Sequence, residues 1–387
     1  MIDLHTPEVR SILPYRSQED YQFAVMRLLQ DQSFSGAMQK LLPESLWNSF
    51  IQAAPKVSRV EEFHRYVVAP LVDEILKSTS QGLSVSGLDE LKLKSHRFLI
   101  LSNHRDIVCD PAIVAYCFFN AGLGSPFICL GDNLLTQARI IDLVKLNRGI
   151  TVKRDLPPRE LLKWSGILSQ VIHELITREN ESVWIAQREG RAKDGDDRTH
   201  PGVLKMLAMA GQDSILDAMS HLHLLPVAIS YEYDPCDALK ARELYRMQTF
   251  GSYEKFAHED EMSMRAGILG FKGRIHVGFG SEWNTDHLKL WREKSKRDQI
   301  NALVQSLDQE IHRQYMKWPS NFIAFDLLHG GDEMSARYSQ SEKQMFVERM
   351  NTQLAMLVKN KLAQDSELEG IKTIMIKSYA KPIEVSE

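Results

Sequence analysis

Cysteine is scarce: Cys109, Cys117, Cys129 and Cys236 are the only four in 387 residues, and no two are spaced as C-x-x-C. That excludes a disulfide-stapled scaffold and a zinc ribbon. Three of the four lie in or beside apolar stretches, where a thiol behaves as a small hydrophobe, so reduced buried thiols in a cytosolic protein are expected. A basic excess is also missing. Lys and Arg number 47 against 51 Asp and Glu, a net charge of −4, which argues against a dedicated nucleic-acid binder, and no base-reading motif occurs. No uninterrupted apolar run reaches the roughly 20 residues that a membrane span needs. The best stretch, Pro111 to Leu130, is broken by Asn120, Gly122, Gly124, Ser125 and Pro126 and reads as a buried helix, a turn and a buried strand. The opening MIDLHTPEVRS lacks the basic-then-apolar pattern of a signal peptide. The expectation is a cytoplasmic protein, at most peripheral at a membrane. Internal repeats and low-complexity segments are absent as well.

What is present is an ordinary globular balance, 43% hydrophobic and 25% charged residues, long enough for one large core with a smaller unit attached. Residues 1–80 read as a helical N-terminal region. Apolar residues recur three and four apart over Glu19–Gln30, Glu44–Ala54 and Val60–Lys77, and Ser17 is placed to cap the first of these. From 81 to 387 the pattern is α/β with a helical C-terminal part. Short apolar strands are expected at Leu83–Ser86, Phe98–Ser102, Phe127–Leu130, Ile150–Val152, Val183–Ala186, Leu224–Ser230 and Arg274–Phe279. Helices are expected between them, notably Pro111–Asn120 and Arg159–Arg178, then Arg297–Tyr315 and Ser339–Leu362; the tail from Ser378 reads as frayed. This alternation implies a mixed, mainly parallel sheet flanked by helices. Pro226 would restrict its strand to a sheet edge or a strand start, and His258-Glu-Asp-Glu261 reads as an exposed acidic loop.

Four stretches carry chemistry. In Leu99-Ile-Leu-Ser-Asn-His-Arg-Asp-Ile-Val-Cys-Asp-Pro-Ala112 an apolar strand empties into a loop holding Asn103, His104 and Asp106, with Asp110 beyond. A histidine at a strand exit is suited to accept a proton near neutral pH, and a carboxylate beside it would orient the ring and stabilise the imidazolium. Asp110, just before Pro111, also has the position of a helix N-cap. In Lys145-Leu-Asn-Arg-Gly-Ile-Thr-Val-Lys-Arg154, Lys153 and Arg154 end a short strand, a place suited to phosphate or carboxylate capture as well as to a solvated basic surface. Val183-Trp-Ile-Ala-Gln-Arg-Glu-Gly-Arg-Ala-Lys-Asp-Gly195 again ends a strand in a charged loop. Here Gly190 allows close backbone approach, Arg188, Arg191 and Lys193 supply charge, and Glu189 would orient them or bond a polyol hydroxyl; an ordinary charged turn has the same composition. Leu224-Leu-Pro-Val-Ala-Ile-Ser230 is a buried strand that could wall the site.

In this order the four stretches resemble the blocks of the glycerolipid acyltransferase family, over Leu83 to Tyr231. The blocks stand here as Asn103-His104 with Asp110, Gly149 through Arg154, Glu189-Gly190-Arg191 and Leu225-Pro226-Val227; Val85-Ser86-Gly87 fits the strand and turn that precede the first. Five residues rather than four separate His104 from Asp110, and Asp106 lies two positions beyond His104. Either carboxylate could therefore partner the histidine, with Asp110 preferred because Pro-Ala follows it as in some soluble members. Arg191 directly follows Glu-Gly, without the family's intervening residue. Trp184-Ile-Ala before a Gly-Arg pair, the missing membrane span and the helical N-terminal region look, more loosely, like the soluble plastid-type glycerol-3-phosphate acyltransferases.

The resemblance implies transfer of a fatty acyl group from acyl-CoA or acyl-carrier protein to a hydroxyl of glycerol 3-phosphate or 1-acylglycerol 3-phosphate. His104 would be the general base, with Asp110 or Asp106 behind it, and Lys153, Arg154, Glu189, Gly190, Arg191 and Lys193 would hold the substrate. No cofactor and no metal are implied, and the partners would be the thioester donor, the acceptor and a membrane surface. The competing expectation is a lipid- or phosphate-binding protein on the same fold without catalysis. A metallohydrolase using His96, His104, Asp106 and Asp110 is a further alternative, although their spacing matches no known ligand set.

Overall fold

The computed structural model describes residues 2–210, 214–256, 258–283 and 288–385. Its strands are β1 (Leu83–Ser86), β2 (Leu99–Ser102), β3 (Phe127–Gly131), β4 (Gly149–Val152), β5 (Val183–Ala186), β6 (Leu224–Tyr231) and β7 (Ile275–Phe279). Among the described residues they form one seven-stranded sheet in the order β1-β7-β6-β2-β5-β3-β4. The five strands β6, β2, β5, β3 and β4 run parallel, with Leu99 opposite both Val183 and Leu224. Strand β7 is antiparallel to β6 and parallel to β1. The fold is thus α/β, a mixed and mainly parallel sheet flanked by helices.

The sheet is preceded by α1 (Pro7–Ile12), α2 (Gln18–Gln30), α3 (Gln32–Leu41), α4 (Glu44–Ala53), α5 (Val60–Phe63) and α6 (Ala69–Thr79). Ser17 caps α2 through the Asp20 N–H, at 3.1 Å. Val60–Lys77 is not one regular helix: a π-helical turn, His64–Val68, separates α5 from α6. That turn seats the buried His64, whose Nδ1 meets the Ser125 hydroxyl. Between the strands lie α7 (Leu88–Leu91), α8 (Cys109–Asn120), α9 (Ala138–Leu146), α10 (Pro158–Thr177), α11 (Pro201–Leu207), α12 (Ile215–His221), α13 (Asp237–Phe250) and α14 (Glu259–Leu269). The chain closes with α15 (Lys296–Gln314), α16 (Pro319–His329), α17 (Gln340–Lys359) and α18 (Leu368–Glu384).

The period-two alternation of the strands divides the core into two layers. Leu99, Leu101, Val183 and Ile185 face α10, α11 and α15, whereas Ile100, Trp184, Leu225 and Ile229 face α8. The apolar stripe of α10, Leu168, Val171, Ile172, Leu175 and Ile176, is wholly buried, each residue contributing about 1.5–3 kcal/mol of burial. Separate cores knit α2–α6 to α9 and join α13, α16, α17 and α18.

Three further expectations are corrected. The residues after Ser378 continue α18 to Glu384, with Tyr379, Ala380 and Ile383 buried among the C-terminal helices. Pro226 lies inside the sheet, in β6 between β2 and β7. It is tolerated because it stands opposite Gly280, just past the end of β7, where its carbonyl accepts the Gly280 N–H at 2.9 Å. His258-Glu-Asp-Glu261 is not a loop but the cap and first turn of α14, where acidic residues complement the helix dipole.

Candidate active site

Parallel strands deliver their exit loops to one edge of the sheet. The loops after β2, β3, β4, β5 and β6 therefore converge, bringing the first three chemical stretches together with the end of the fourth. The turn after β2 is set by Asn103, which is fully buried. Its carboxamide acts as a surrogate peptide for β6: Oδ1 accepts the Ile229 N–H at 2.8 Å and Nδ2 donates to the Ile229 carbonyl at 3.0 Å. Nδ2 also donates to Asp197 Oδ2 at 3.0 Å. An aspartate could not supply both donor and acceptor. With Asn103 holding the sheet through its side chain, the backbone is released and His104 swings into the edge.

The His104 Nδ1 lies 2.9 Å from Asp110 Oδ2. A carboxylate only accepts, so Nδ1 carries the proton and Nε2 keeps its lone pair. The His104 side chain is 15% exposed and that of Asp110 0%, so the ring is reachable while its partner is not. Four donors hold Asp110. Besides His104, Oδ2 accepts the backbone N–H groups of Arg105 and Asp106, at 2.5 and 2.8 Å, and Oδ1 accepts the Tyr231 hydroxyl at 2.7 Å. Burial, then the Asp110 charge, raises the Tyr231 phenol far above its usual range and keeps it a donor. Trp184 packs edge-on to the His104 ring, with centroids 5.8 Å apart at 76°, and its own N–H donates to the Ser102 hydroxyl at 2.9 Å.

Asp106 does the capping expected of Asp110. Its Oδ1 accepts the N–H groups of Val108 and Cys109, at 2.9 and 2.7 Å, as α8 begins. Its Oδ2 is buried against Gly267 of α14, where a Cβ would come within 2.1 Å, and it has no partner among the described residues. Burial, reinforced by Asp110, raises its carboxyl pKa. The turn points the backbone N–H groups of Arg105 and Asp106 at Asp110. Arg105 turns inward to Asp197 Oδ2 at 2.6 Å, and its guanidinium stacks on Tyr315.

The second and third stretches meet beside this pair. Arg154 lies against Gly131, where a Cβ would be 2.5 Å from its Nε. Its N–H donates to Asp132 Oδ1 at 3.2 Å, and its Nη1 is 3.6 Å from Glu189 Oε1. Lys153 is 3.7 Å from Asp132 Oδ2 and faces the Trp164 ring. Glu189 is largely exposed, and Gly190 has φ +70° with open space around it, so its value there is conformational. The Ala192 N–H donates to the His104 carbonyl at 2.7 Å, tying the loop after β5 to the histidine turn. Arg191 Nη1 is buried with no partner among the described residues. Lys193 is instead engaged by Glu243 of α13, and Arg188 Nη1 by the Asp196 carbonyl at 3.2 Å.

His96 stands at the opposite edge of the sheet, ahead of β2, so the set His96, His104, Asp106 and Asp110 is not assembled. Among residues without an assigned role in the sequence, Tyr231, Asn103 and Asp197 complete the site. Tyr231 ends the fourth stretch, but nothing local in the sequence aims it at Asp110. Among the described residues, no helix is long and apolar enough to cross a membrane.

No protein-family model matches the chain, and no curated protein matches it. Among solved structures the chain is similar to the 1-acyl-sn-glycerophosphate (LPA) acyltransferase PlsC from Thermotoga maritima. The two share 12% identity over 76% of this chain and 95% of that one, with a TM-score of 0.34.

Proposed function

We propose that the chain is an O-acyltransferase that moves a fatty acyl group from a thioester, acyl-CoA or acyl-carrier protein, to a hydroxyl of glycerol 3-phosphate or 1-acylglycerol 3-phosphate. The observation that carries this reading is the His104–Asp110 pair, 2.9 Å apart, with the imidazole edge open and the carboxylate sealed. His104 Nε2 takes the acceptor's hydroxyl proton while that oxygen bonds to the thioester carbonyl carbon. The tetrahedral intermediate collapses, the carbon–sulfur bond breaks, and the Nε2 proton passes to the leaving thiolate. Asp110 holds the tautomer and stabilises the imidazolium; such base catalysis supplies on the order of 10²–10⁴ in rate. The acceptor alcohol attacks directly, so no serine or cysteine nucleophile takes part. Arg154, Arg191 and Lys153 hold the acceptor phosphate, the first two as planar donors suited to its oxygens. Lys193, engaged by Glu243, positions the loop rather than the substrate. With 1-acylglycerol 3-phosphate as the acceptor, the active edge would work at a membrane surface, where that lipid resides.

The test is thiol release from an acyl thioester in the presence of each acceptor, for the native chain and for His104→Ala. Release by the native protein and its loss in a folded His104→Ala variant are expected. Substantial turnover by the variant would remove His104 from the chemistry. Binding of acceptor by the native chain without release would replace catalysis with a lipid- or phosphate-binding role.

A further inference from the structure

At the opposite edge of the sheet, where β2 and β6 begin and the segment after β7 ends, three metal-ligating side chains converge. His96 lies three residues ahead of β2, His223 directly ahead of β6, and Glu282 three residues beyond β7. Their ligand atoms all lie within 4.8 Å of one another, and among the described residues this is the one such group of His, Cys, Asp and Glu. We propose that His96, His223 and Glu282 bind a divalent transition-metal ion of the zinc type, a structural clip separate from the proposed acyl-transfer site.

The donor set is two imidazoles and one carboxylate, which zinc takes with Zn–N and Zn–O bonds of about 2.0–2.2 Å. Ligands at those distances stand roughly 3.2–3.5 Å from each other in a tetrahedral arrangement. Here His223 Nδ1 is 2.8 Å and His96 Nε2 3.0 Å from the same oxygen, Glu282 Oε1. Each imidazole nitrogen is therefore already within a few tenths of an ångström of coordination spacing from the carboxylate oxygen, and the two nitrogens lie within 4.8 Å of each other.

His96 Nε2 is buried and faces Glu282 Oε1, 3.0 Å away, the same oxygen that His223 Nδ1 meets. One carboxylate oxygen thus serves both imidazoles, and a metal at the focus of the three groups would give each nitrogen a bond of its own. The scaffold is fixed on each side. His223 has a left-handed backbone, φ 48°, and the Trp283 N–H donates to the Leu224 carbonyl at 2.8 Å, which pins Glu282 beside β6.

Two features oppose binding and both can yield. The imidazoles are stacked, with centroids 3.8 Å apart and planes 16° apart, so one ion cannot lie in both ring planes until one ring turns. The side chains of His96 and His223 are 31% and 33% exposed, which leaves room for that turn. Lys94 Nζ is 3.4 Å from Glu282, but on Oε2, leaving Oε1 to the metal. The exposed side of the cluster leaves the fourth position to water.

Zinc titration by calorimetry into the chelator-treated, untagged full chain tests the assignment without reference to acyl transfer. One zinc ion per chain and a higher Tm with zinc are expected. Removing a direct ligand should weaken binding at least as much as losing an outer-shell partner of a metal site, which costs about 10- to 100-fold. His223→Ala and Glu282→Gln are therefore expected to weaken it by about 100-fold. His96→Phe keeps the stacked ring while removing the donor, so a folded His96→Phe variant that no longer binds zinc supports the site. Absence of stoichiometric binding in the native chain would overturn it and leave the cluster as a carboxylate held by two imidazoles. Unchanged affinity in His96→Phe with His223→Ala would overturn it equally.

Discussion

Asp110→Asn separates the charge of the carboxylate from its geometry. The Oδ2 position receives three N–H donors, from His104 Nδ1, Arg105 and Asp106, so an asparagine must place its carbonyl oxygen there. Its amide nitrogen then faces the Tyr231 hydroxyl, which turns to accept. The histidine tautomer is preserved, unlike in a triad where an asparagine inverts it and costs about 10⁴ in rate. What is lost is the attraction between imidazolium and carboxylate, about 4 kcal/mol for charge centres roughly 4 Å apart at an effective dielectric near 20. At 1.36 kcal/mol per decade this predicts a fall of about 10³ in kcat, with the acceptor KM little changed and the fold intact. The assay is single-turnover thiol release alongside a urea unfolding curve. Asp106→Asn is the contrast: Oδ1 continues to cap α8, the unpartnered Oδ2 loses a charge that burial already disfavours, and activity should stay within a few-fold. If folded Asp110→Asn protein keeps kcat within tenfold of native while Asp106→Asn loses it, the carboxylates have been assigned the wrong way round.

Tyr231→Phe leaves Asp110 Oδ1 buried without a donor, so the unfolding free energy should drop by about 1–3 kcal/mol with kcat reduced less than tenfold; an unchanged urea midpoint would refute the contact's importance. Arg154→Ala should raise the acceptor KM by about 10- to 100-fold, the worth of a charged hydrogen bond, and an effect confined to the thioester KM would show that the two subsites are reversed. His64 is pushed down to about 4 from 6.5, first by burial and then by the Arg148 charge. Between those values the unfolded chain binds a proton that the folded chain refuses, so stability should fall as pH drops from 6.5 to 4, by up to about 3 kcal/mol. His64→Gln should lose that part of the pH dependence, and parallel curves for the two proteins in pH-dependent chemical denaturation would discard the explanation.

How much of this was legible in the sequence depends on the range of the interaction involved. Strands such as Val183–Ala186 and Leu99–Ser102 are short apolar runs closed by polar loops, and a parallel sheet buries both their faces, so composition alone marks them to within a residue. The exit positions of His104, Arg154 and Glu189 follow from the same runs. Helices such as α13 were not legible. The sequence Asp237–Phe250 is rich in charge, yet Lys240 and Arg242 are buried because they meet Asp234, the Arg105 carbonyl and the Leu362 carbonyl. Those partners lie up to 135 positions away, and no periodicity records them. The tail after Ser378 fails for the same reason. Its apolar residues sit in a short segment at the end of the sequence, and their burial is decided by α16 and α17.

The partner of His104 shows where local reading stops. By spacing, Asp106 and Asp110 are rivals within one loop, and by sequence Asp110 is the better helix cap. In the structure Asp110 meets His104 and Asp106 takes the capping contacts, because the chain between them turns so that the N–H groups of Arg105 and Asp106 point back at Asp110. A carboxylate holding four donors at zero exposure is fixed in place, which suits the imidazole of the proposed reaction, where it gains and loses a proton without turning. A carboxylate with one capped oxygen and one orphaned oxygen against Gly267 is held for shape. The distinction lies in Tyr231, 121 positions away, and in a backbone turn; neither has a signature in residue type or spacing. The same logic separates Lys193 from Arg191 two residues earlier: Glu243 neutralises the lysine, while Arg191 keeps a buried Nη1 without a hydrogen-bond partner among the described residues. In the proposed reaction the arginine, not the lysine, is therefore the better candidate in that loop to hold an anionic substrate.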